Sequence, residues 1–213
     1  MKYLILFLLL ISSAHAIEFE ASIGQSFYGH QPSGTWWVAD QPPEFHLQGD
    51  AFTLGITGKL DRYRLRAGYI DMGTASSAAV AMSYDGPANP AITPTTWPVS
   101  HWYGSGWVQG IYLTVAPEFD YVGFTFAPEI GLMAFQPHFQ MTIPDWRPCG
   151  TCPAQFLQVT HDARPQRGGM VGFSVGYGRT SLLISRWTAE ASGDQWPAIY
   201  HGGATNVLLR HRF

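Results

Sequence analysis

The chain is 213 residues long, with a charged fraction of 13% and an aromatic fraction of 15%. Soluble domains carry about 25% charged residues, so a fully water-exposed surface would be poorly supplied with charge here, whereas an outer face against lipid would explain the shortage. The net charge of −3 is too small to favour a nucleic-acid partner or strong electrostatic steering.

Residues 1–16 have the three parts of a secretory signal peptide. Lys2 supplies the positive part, residues 4–10 the apolar part, and residues 14–16 (Ala-His-Ala) a small-x-small cleavage site. The apolar run is too short to span a bilayer comfortably as a helix. The sequence therefore predicts an exported protein with one mature domain, residues 17–213.

Eight segments of the mature chain alternate apolar residues with polar or small ones, a period typical of β-strands. They cover about 17–28, 50–59, 62–70, 107–116, 121–135, 168–177, 180–189 and 204–213. The inward faces are rich in Gly, Ala, Ser and Thr, which suits the narrow interior of an eight-stranded barrel. Pro128 falls inside the fifth segment and predicts a bulge or weak pairing there.

The connections alternate strictly between short and long. The short ones are 59–61, 117–119 and 178–180, and the long ones 30–47, 71–105, 136–166 and 190–203. Outer-membrane barrels have tight periplasmic turns and long extracellular loops, whereas a secreted β-sandwich, the alternative, would not place all its long loops at one end. The sequence therefore predicts an all-β fold, an antiparallel eight-stranded up-and-down transmembrane β-barrel with four long extracellular loops.

Charged residues recur on one face of the predicted strands. Arg62, Arg64 and Arg66 share a face of the third strand, and each would cost about 2–4 kcal/mol at the bilayer midplane. We therefore predict an interior charge network of Glu18, Glu20, Glu129, Arg62, Arg64, Arg66, Arg210 and Arg212. Because buried charges require partners, our interpretation is an ion-paired plug, with a narrow gated channel as the alternative.

The end of the chain adds a further pattern, residues 208–213 (Leu-Leu-Arg-His-Arg-Phe). With its signal peptide and eight strands, the chain resembles the small outer-membrane β-barrels of Gram-negative bacteria, of the OmpA transmembrane-domain or OmpX type. That resemblance implies location in the cell outer membrane, in contact with outer-membrane lipid and lipopolysaccharide. It also implies recognition by the barrel-assembly machinery through Val207, Leu209 and Phe213, although His211 departs from the usual apolar position.

Two cysteines lie close together in the third long connection. In a cytosolic protein the spacing of Cys149 and Cys152 would suggest zinc binding or thiol redox chemistry. Export to an oxidising compartment instead favours a disulfide between them. Pro153 follows the pair where haem attachment requires histidine, so no cofactor is predicted.

Aromatic residues and histidines concentrate in the long connections. The cluster in the second is a predicted interaction surface, because long ordered loops on a scaffold usually carry its function. It consists of Trp97, His101, Trp102 and Tyr103. The histidine spacings match no metal-ligand motif, so no metal site is predicted.

An enzyme would need a nucleophile beside a base. Residues 100–101 (Ser-His) and 160–162 (Thr-His-Asp) supply the residue types, but adjacent side chains on a strand point to opposite faces, and neither run matches the His-x-Ser pattern of the lipid A deacylases. No catalytic residue is assigned. The sequence thus predicts a structural or surface-interaction role through loops that an extracellular protein or a phage could bind, and a lipid A-modifying enzyme is an alternative.

Overall fold

The computed structural model describes residues 17–29, 44–82, 99–147, 152–162, 165–188 and 203–213. In chain order its strands are β1 (Ile17–Tyr28), β2 (Glu44–His46), β3 (Gln48–Leu60), β4 (Tyr63–Met82), β5 (Val99–Pro117), β6 (Phe119–Tyr121), β7 (Phe124–Trp146), β8 (Gln155–Asp162), β9 (Gln166–Tyr177), β10 (Thr180–Trp187) and β11 (Ala204–Arg212). Within these ranges no helix is long and apolar enough to cross a membrane. The predicted signal peptide lies outside the described residues.

The strands form one antiparallel sheet that closes into a ring of eight. Around the ring the order is β1, β3, β4, β5, β7, β9, β10 and β11, and β11 pairs back with β1. The short strands β2, β6 and β8 pair with β4, β7 and β7. This confirms the predicted all-β, antiparallel organisation of eight main strands, including the pairing of the first with the last.

Two-residue turns connect ring strands at one end. They are Asp61-Arg62, Val122-Gly123 and Gly178-Arg179. The prediction of a turn at 117–119 was wrong, because pairing resumes in β6 before the chain turns. Val122 and Gly123 both have positive φ, 51° and 81°, as a type I′ hairpin turn requires.

The irregularity predicted at Pro128 is a gap in pairing rather than a bulge. β5 and β6 pair with β7 in one register on both sides of this point, which places Pro117 opposite Pro128. Neither proline has an N–H to donate, so the ladder is interrupted there. On its other side β7 stays in register with β9.

Two of the predicted long connections are largely strand. β4, β5, β7 and β8 continue past the ring and, with β2, form a sheet that we call the strand wall. It comprises residues 44–46, 74–82, 99–107, 138–146 and 155–162. The prediction of loops over all of 71–105 and 136–166 was therefore wrong, because neighbouring strands supply hydrogen-bond partners along these segments.

A β-bulge lies where the ring meets the wall. The register between β4 and β5 shifts between Asp71 and Thr74, and Gly73 there has φ of +70°. The Asp71 carboxylate accepts a hydrogen bond from the Gly73 N–H at 2.8 Å. The Tyr28 hydroxyl donates to the Gly73 carbonyl at 2.6 Å, so an interior side chain of β1 fixes the bulge.

The interior beside the wall is apolar, which differs from the small and polar lining predicted. Met72, Val108, Phe135 and Phe139 are 1% exposed or less. They pack in one cluster with Tyr28, Ile70, Tyr112, Met133, Met141, Ile143, Met170 and Trp187. We call this cluster the apolar layer, and it fills the part of the ring next to the wall.

Candidate functional site

Four charged side chains from four strands meet inside the ring. Glu20 on β1, Arg66 on β4, Glu129 on β7 and Arg210 on β11 are each 4% exposed or less. Arg66 pairs with Glu20 at 3.2 Å and with Glu129 at 3.3 Å, and Arg210 pairs with the same two carboxylates at 3.2 Å and 3.0 Å. Acid and base therefore alternate in a closed group that we call the quartet.

The quartet bridges the ring from side to side. β1 and β7 stand four places apart in the eight-strand order, so Glu20 and Glu129 project into the ring from opposite sides. The Thr114 hydroxyl also donates to Glu129, at 2.5 Å. Removing one member would leave its partners as uncompensated buried charges. Such a loss typically lowers the free energy of unfolding by about 3–5 kcal/mol.

A second ion-pair group lies nearer the two-residue turns. Arg64 pairs with Glu118 and, at 3.1 Å, with Glu18. Glu18 also lies 3.6 Å from Arg212, and Glu118 lies 3.1 Å from Lys59. Sequence reasoning missed Glu118 because it fell in a predicted short connection, and in the structure it pairs with both Arg64 and Lys59.

The structure brings together seven of the eight residues of the predicted network, and Arg62 is the exception. Its assignment to the interior was wrong because it lies in the turn between Leu60 and Tyr63 rather than on the inward register of β4. Its guanidinium lies 5.1 Å from the centre of the Tyr63 ring. It donates to the Tyr63 hydroxyl at 3.0 Å.

Little room remains around these charges. A cavity of about 20 Å³ lies among Arg66, Glu118, Ser174, Ser181 and Arg212, which is space for about one water. On the other side of the quartet the apolar layer begins with Tyr112, whose ring meets Trp187 edge-on with centres 6.1 Å apart. Within the described residues, the interior is occupied first by ion pairs and then by packed apolar side chains.

The outer face of the ring is apolar, in contrast to the charged part of its interior. Outward apolar side chains occur on every ring strand, exposed on most of them and half-buried at Leu65 and Tyr69 on β4, and we call them the apolar belt. They include Ile17, Phe19, Ile23, Phe52, Leu54, Ile111, Leu113, Ile130, Leu132, Val171, Phe173, Leu182, Ile184 and Leu209. Ile23 and Leu132 are 68% and 69% exposed. Exposed apolar side chains grouped on one face in this number mark an interaction or membrane surface.

Different side chains mark the two edges of the belt. Toward the wall, each ring strand carries an outward polar residue, together the polar rim: Gln25, Asp50, Asp71, Gln109, Gln136, Arg167, Arg186 and Thr205. Toward the turns the exposed residues are mostly aromatic: Phe19, Tyr63, Phe119, Tyr121, Phe124, Tyr177 and Phe213. The belt is thus bounded on both sides.

The predicted loop cluster does not form one surface. Trp97 lies outside the described residues, and the other three residues lie on β5. His101 and Tyr103 are exposed on one face, whereas Trp102 packs against the apolar layer on the other. The prediction of a single aromatic loop surface was wrong for these residues because strand alternation separates them.

His101 instead pairs with Asp145 across the wall. Its ring Nδ1 lies 2.7 Å from Asp145 Oδ2, and its backbone N–H donates to Asp145 Oδ1 at 2.8 Å. Burial would raise the pKa of Asp145, but the hydrogen bonds and charge of His101 outweigh it and lower that pKa. The pair therefore joins β5 to the end of β7.

The remaining predicted residues are placed as follows. Leu209 and Phe213 are exposed on the outer face of the closing strand, and Val207 is half-buried beside them. Cys149 lies outside the described residues, so its disulfide with Cys152 stays a prediction. In the described ranges no three His, Cys, Asp or Glu side chains form a group that could hold a metal.

No family model matches this chain, and no curated protein matches it either. The geometry of the quartet, the apolar layer and the belt is therefore the basis for assigning a function.

Proposed function

We propose that the ring is a non-conducting outer-membrane β-barrel that holds the strand wall outside the cell as an interaction surface. The observation that carries this proposal is the apolar belt on the outer face of all eight ring strands, which surrounds an interior that holds paired charges on the side of the turns. Water outside the ring would leave that belt solvated, whereas acyl chains would cover it.

Strand length supports the assignment. A membrane-spanning β-strand needs about 9–11 residues; β1, β3, β9 and β11 have 12, 13, 12 and 9 residues, and β10 has 8. Closure of the ring also removes unpaired strand edges, which hydrocarbon does not tolerate. Aromatic residues at the turn side of the belt match the girdles of such barrels.

The same geometry supports one orientation in the membrane. The three two-residue turns correspond to the short periplasmic connections of outer-membrane barrels, so the wall faces outside. The outer face of the wall carries polar and aromatic side chains such as Tyr103, His101 and Gln140, which suit contact with an extracellular protein or a phage. The barrel-assembly machinery would then recognise Leu209 and Phe213 on the lipid-facing side of the closing strand.

The proposal of a closed barrel is tested first by location. The protein should pellet with outer membranes and shift in gel mobility on boiling. In a background with both cysteines changed to serine, a nitroxide at Ile23→Cys should be relaxed more by oxygen than by a water-soluble nickel complex. The same label at Thr142→Cys in the wall should give the reverse, and a water-accessible label at Ile23→Cys would refute the membrane assignment.

Absence of conduction is tested in planar bilayers. The wild-type protein should stay silent, because the quartet and the apolar layer both occlude the bore. Arg210→Ala should also stay silent, since it opens only the first of these layers. Stable single-channel openings of the wild-type protein would favour the channel alternative, and altered lipid A mass spectra in cells carrying the protein would favour the enzyme.

A further inference from the structure

A long groove interrupts the apolar belt where β5 faces β7. Its part nearer the turns has a volume of about 470 Å³ and is lined by Leu65, Leu113, Val115, Ile130 and Leu132. Its part nearer the wall has a volume of about 280 Å³ and is lined by Ile111, Leu113, Leu132, Ala134 and Arg167 among others. The two parts share Leu113 and Leu132, so they adjoin along the outer face.

The part of the groove nearer the wall exists because one outward position is small. Ala134 lies on the outer face between Ile111 on β5 and Arg167 on β9. The preceding outward residues of the same strand, Ile130 and Leu132, are large and 60% and 69% exposed. A methyl group between larger neighbours leaves a trough that runs up to the polar rim.

Arg167 closes the rim end of this groove. It is exposed, and its side chain lines the groove, so its aliphatic stem can lie on apolar surface while the guanidinium reaches the headgroup level. Among the described residues, none forms an ion pair or hydrogen bond with its guanidinium. Arg186, the other rim arginine, instead donates to the Thr205 hydroxyl at 3.0 Å.

We propose that this groove binds one molecule of the phosphorylated outer-leaflet lipid, lipopolysaccharide, through its lipid A part. An acyl chain lies along the groove, and a lipid A phosphate accepts hydrogen bonds from Arg167. Guanidinium and phosphate match in charge and in paired hydrogen-bonding geometry. The inference rests on the proposed barrel and its orientation, which place Arg167 in the leaflet on the wall side.

The test uses the full mature chain in phosphatidylcholine nanodiscs doped with purified lipid A, followed by native mass spectrometry. The wild-type protein should retain one lipid A. Arg167→Gln should lower that retention about fivefold, the loss of about 1 kcal/mol expected for one arginine near a charged membrane surface. Ala134→Leu should also lower it, by filling the trough. Dephosphorylated lipid A should bind the wild-type protein as weakly as lipid A binds Arg167→Gln.

Matched variants separate this site from general effects. Arg186→Gln removes a rim arginine away from the groove, and Ala21→Leu enlarges an outward alanine on β1, so both should retain lipid A like the wild type. Equal retention by Arg167→Gln, or equal binding of dephosphorylated lipid A, would overturn the site. Each variant is first checked for insertion by heat-modifiable mobility. Failure of the wild type to insert refutes the barrel, whereas insertion without lipid A retention refutes only the groove.

Discussion

Glu20 and Glu129 project from opposite strands of the ring, yet they share the same two arginine partners. Arg66 and Arg210 each lie 3.0–3.3 Å from both carboxylates. Two like charges are thereby held in one buried group without net charge. The arrangement links β1, β4, β7 and β11 at one level. It therefore fixes the cross-section of the ring there and also fills its interior.

Removing one carboxylate should therefore destabilise the whole ring. Glu129→Gln leaves Arg66 and Arg210 to share Glu20 alone, and the free energy of unfolding in lipid vesicles should fall by about 3–5 kcal/mol. Urea titration followed by tryptophan fluorescence measures it. Glu44→Gln, an exposed glutamate on β2, is the control and should change little. Equal stability of the two variants would show that the quartet is dispensable.

The belt predicts a position-dependent cost for a new charge. Leu54 and Gln48 lie on the same outward face of β3, on opposite sides of the polar rim residue Asp50. Leu54→Arg should lower the free energy of unfolding in vesicles by about 2–4 kcal/mol, whereas Gln48→Arg should change it by less than about 0.5 kcal/mol. Similar small effects for both would mean that Leu54 faces water.

Strand alternation made the facing of side chains predictable, but not where the strands end. The inward positions of Arg64 and Arg66 and the outward positions of Ile111 and Leu113 follow from a period of two. Arg62 continues the same alternation, but it lies in the turn. Only the positive φ of Asp61 and the pairing of Leu60 with Tyr63 show that the strand has ended.

The wall was missed for a related reason. Residues 71–82 and 99–105 are rich in Gly, Ala and Ser, and their alternation is weak. They form strands because β2, β4, β5 and β7 supply partners distant in sequence, and local propensity does not report such pairing. The short connection predicted at 117–119 is instead a gap in the ladder, because Pro117 lies opposite Pro128 and neither residue has an N–H.

The His101–Asp145 pair predicts a local acid sensitivity of the wall. The lowered pKa of Asp145 means that its ionised form stabilises the folded wall above the carboxyl's unfolded-state pKa. That contribution is lost as the pH falls through the lowered folded-state value. In His101→Ala the pKa of Asp145, followed by carboxyl NMR in nanodiscs, should rise toward its ordinary value. His46→Ala, an exposed histidine on β2, should leave it unchanged, and an unchanged value in His101→Ala would contradict the pairing.

The bulge at Gly73 gives the sharpest prediction about how ring and wall are joined. A Cβ at this position would lie 2.3 Å from the Asp50 carbonyl oxygen and 2.6 Å from the Asp50 nitrogen, both backbone atoms of the neighbouring strand. Gly178 also has positive φ, 60°, but a Cβ there meets nothing within 4 Å. Gly178→Ala should thus cost only the left-handed backbone penalty of about 1–2 kcal/mol.

Gly73→Ala adds the clash and separates β3 from β4, so it should be the more destabilising of the two in vesicles. It should also increase amide hydrogen exchange in residues 74–78 of the wall more than in the ring strands. If both variants lost the same free energy, the close approach of the two strands at Gly73 would be refuted, because the backbone conformation alone would then explain the cost.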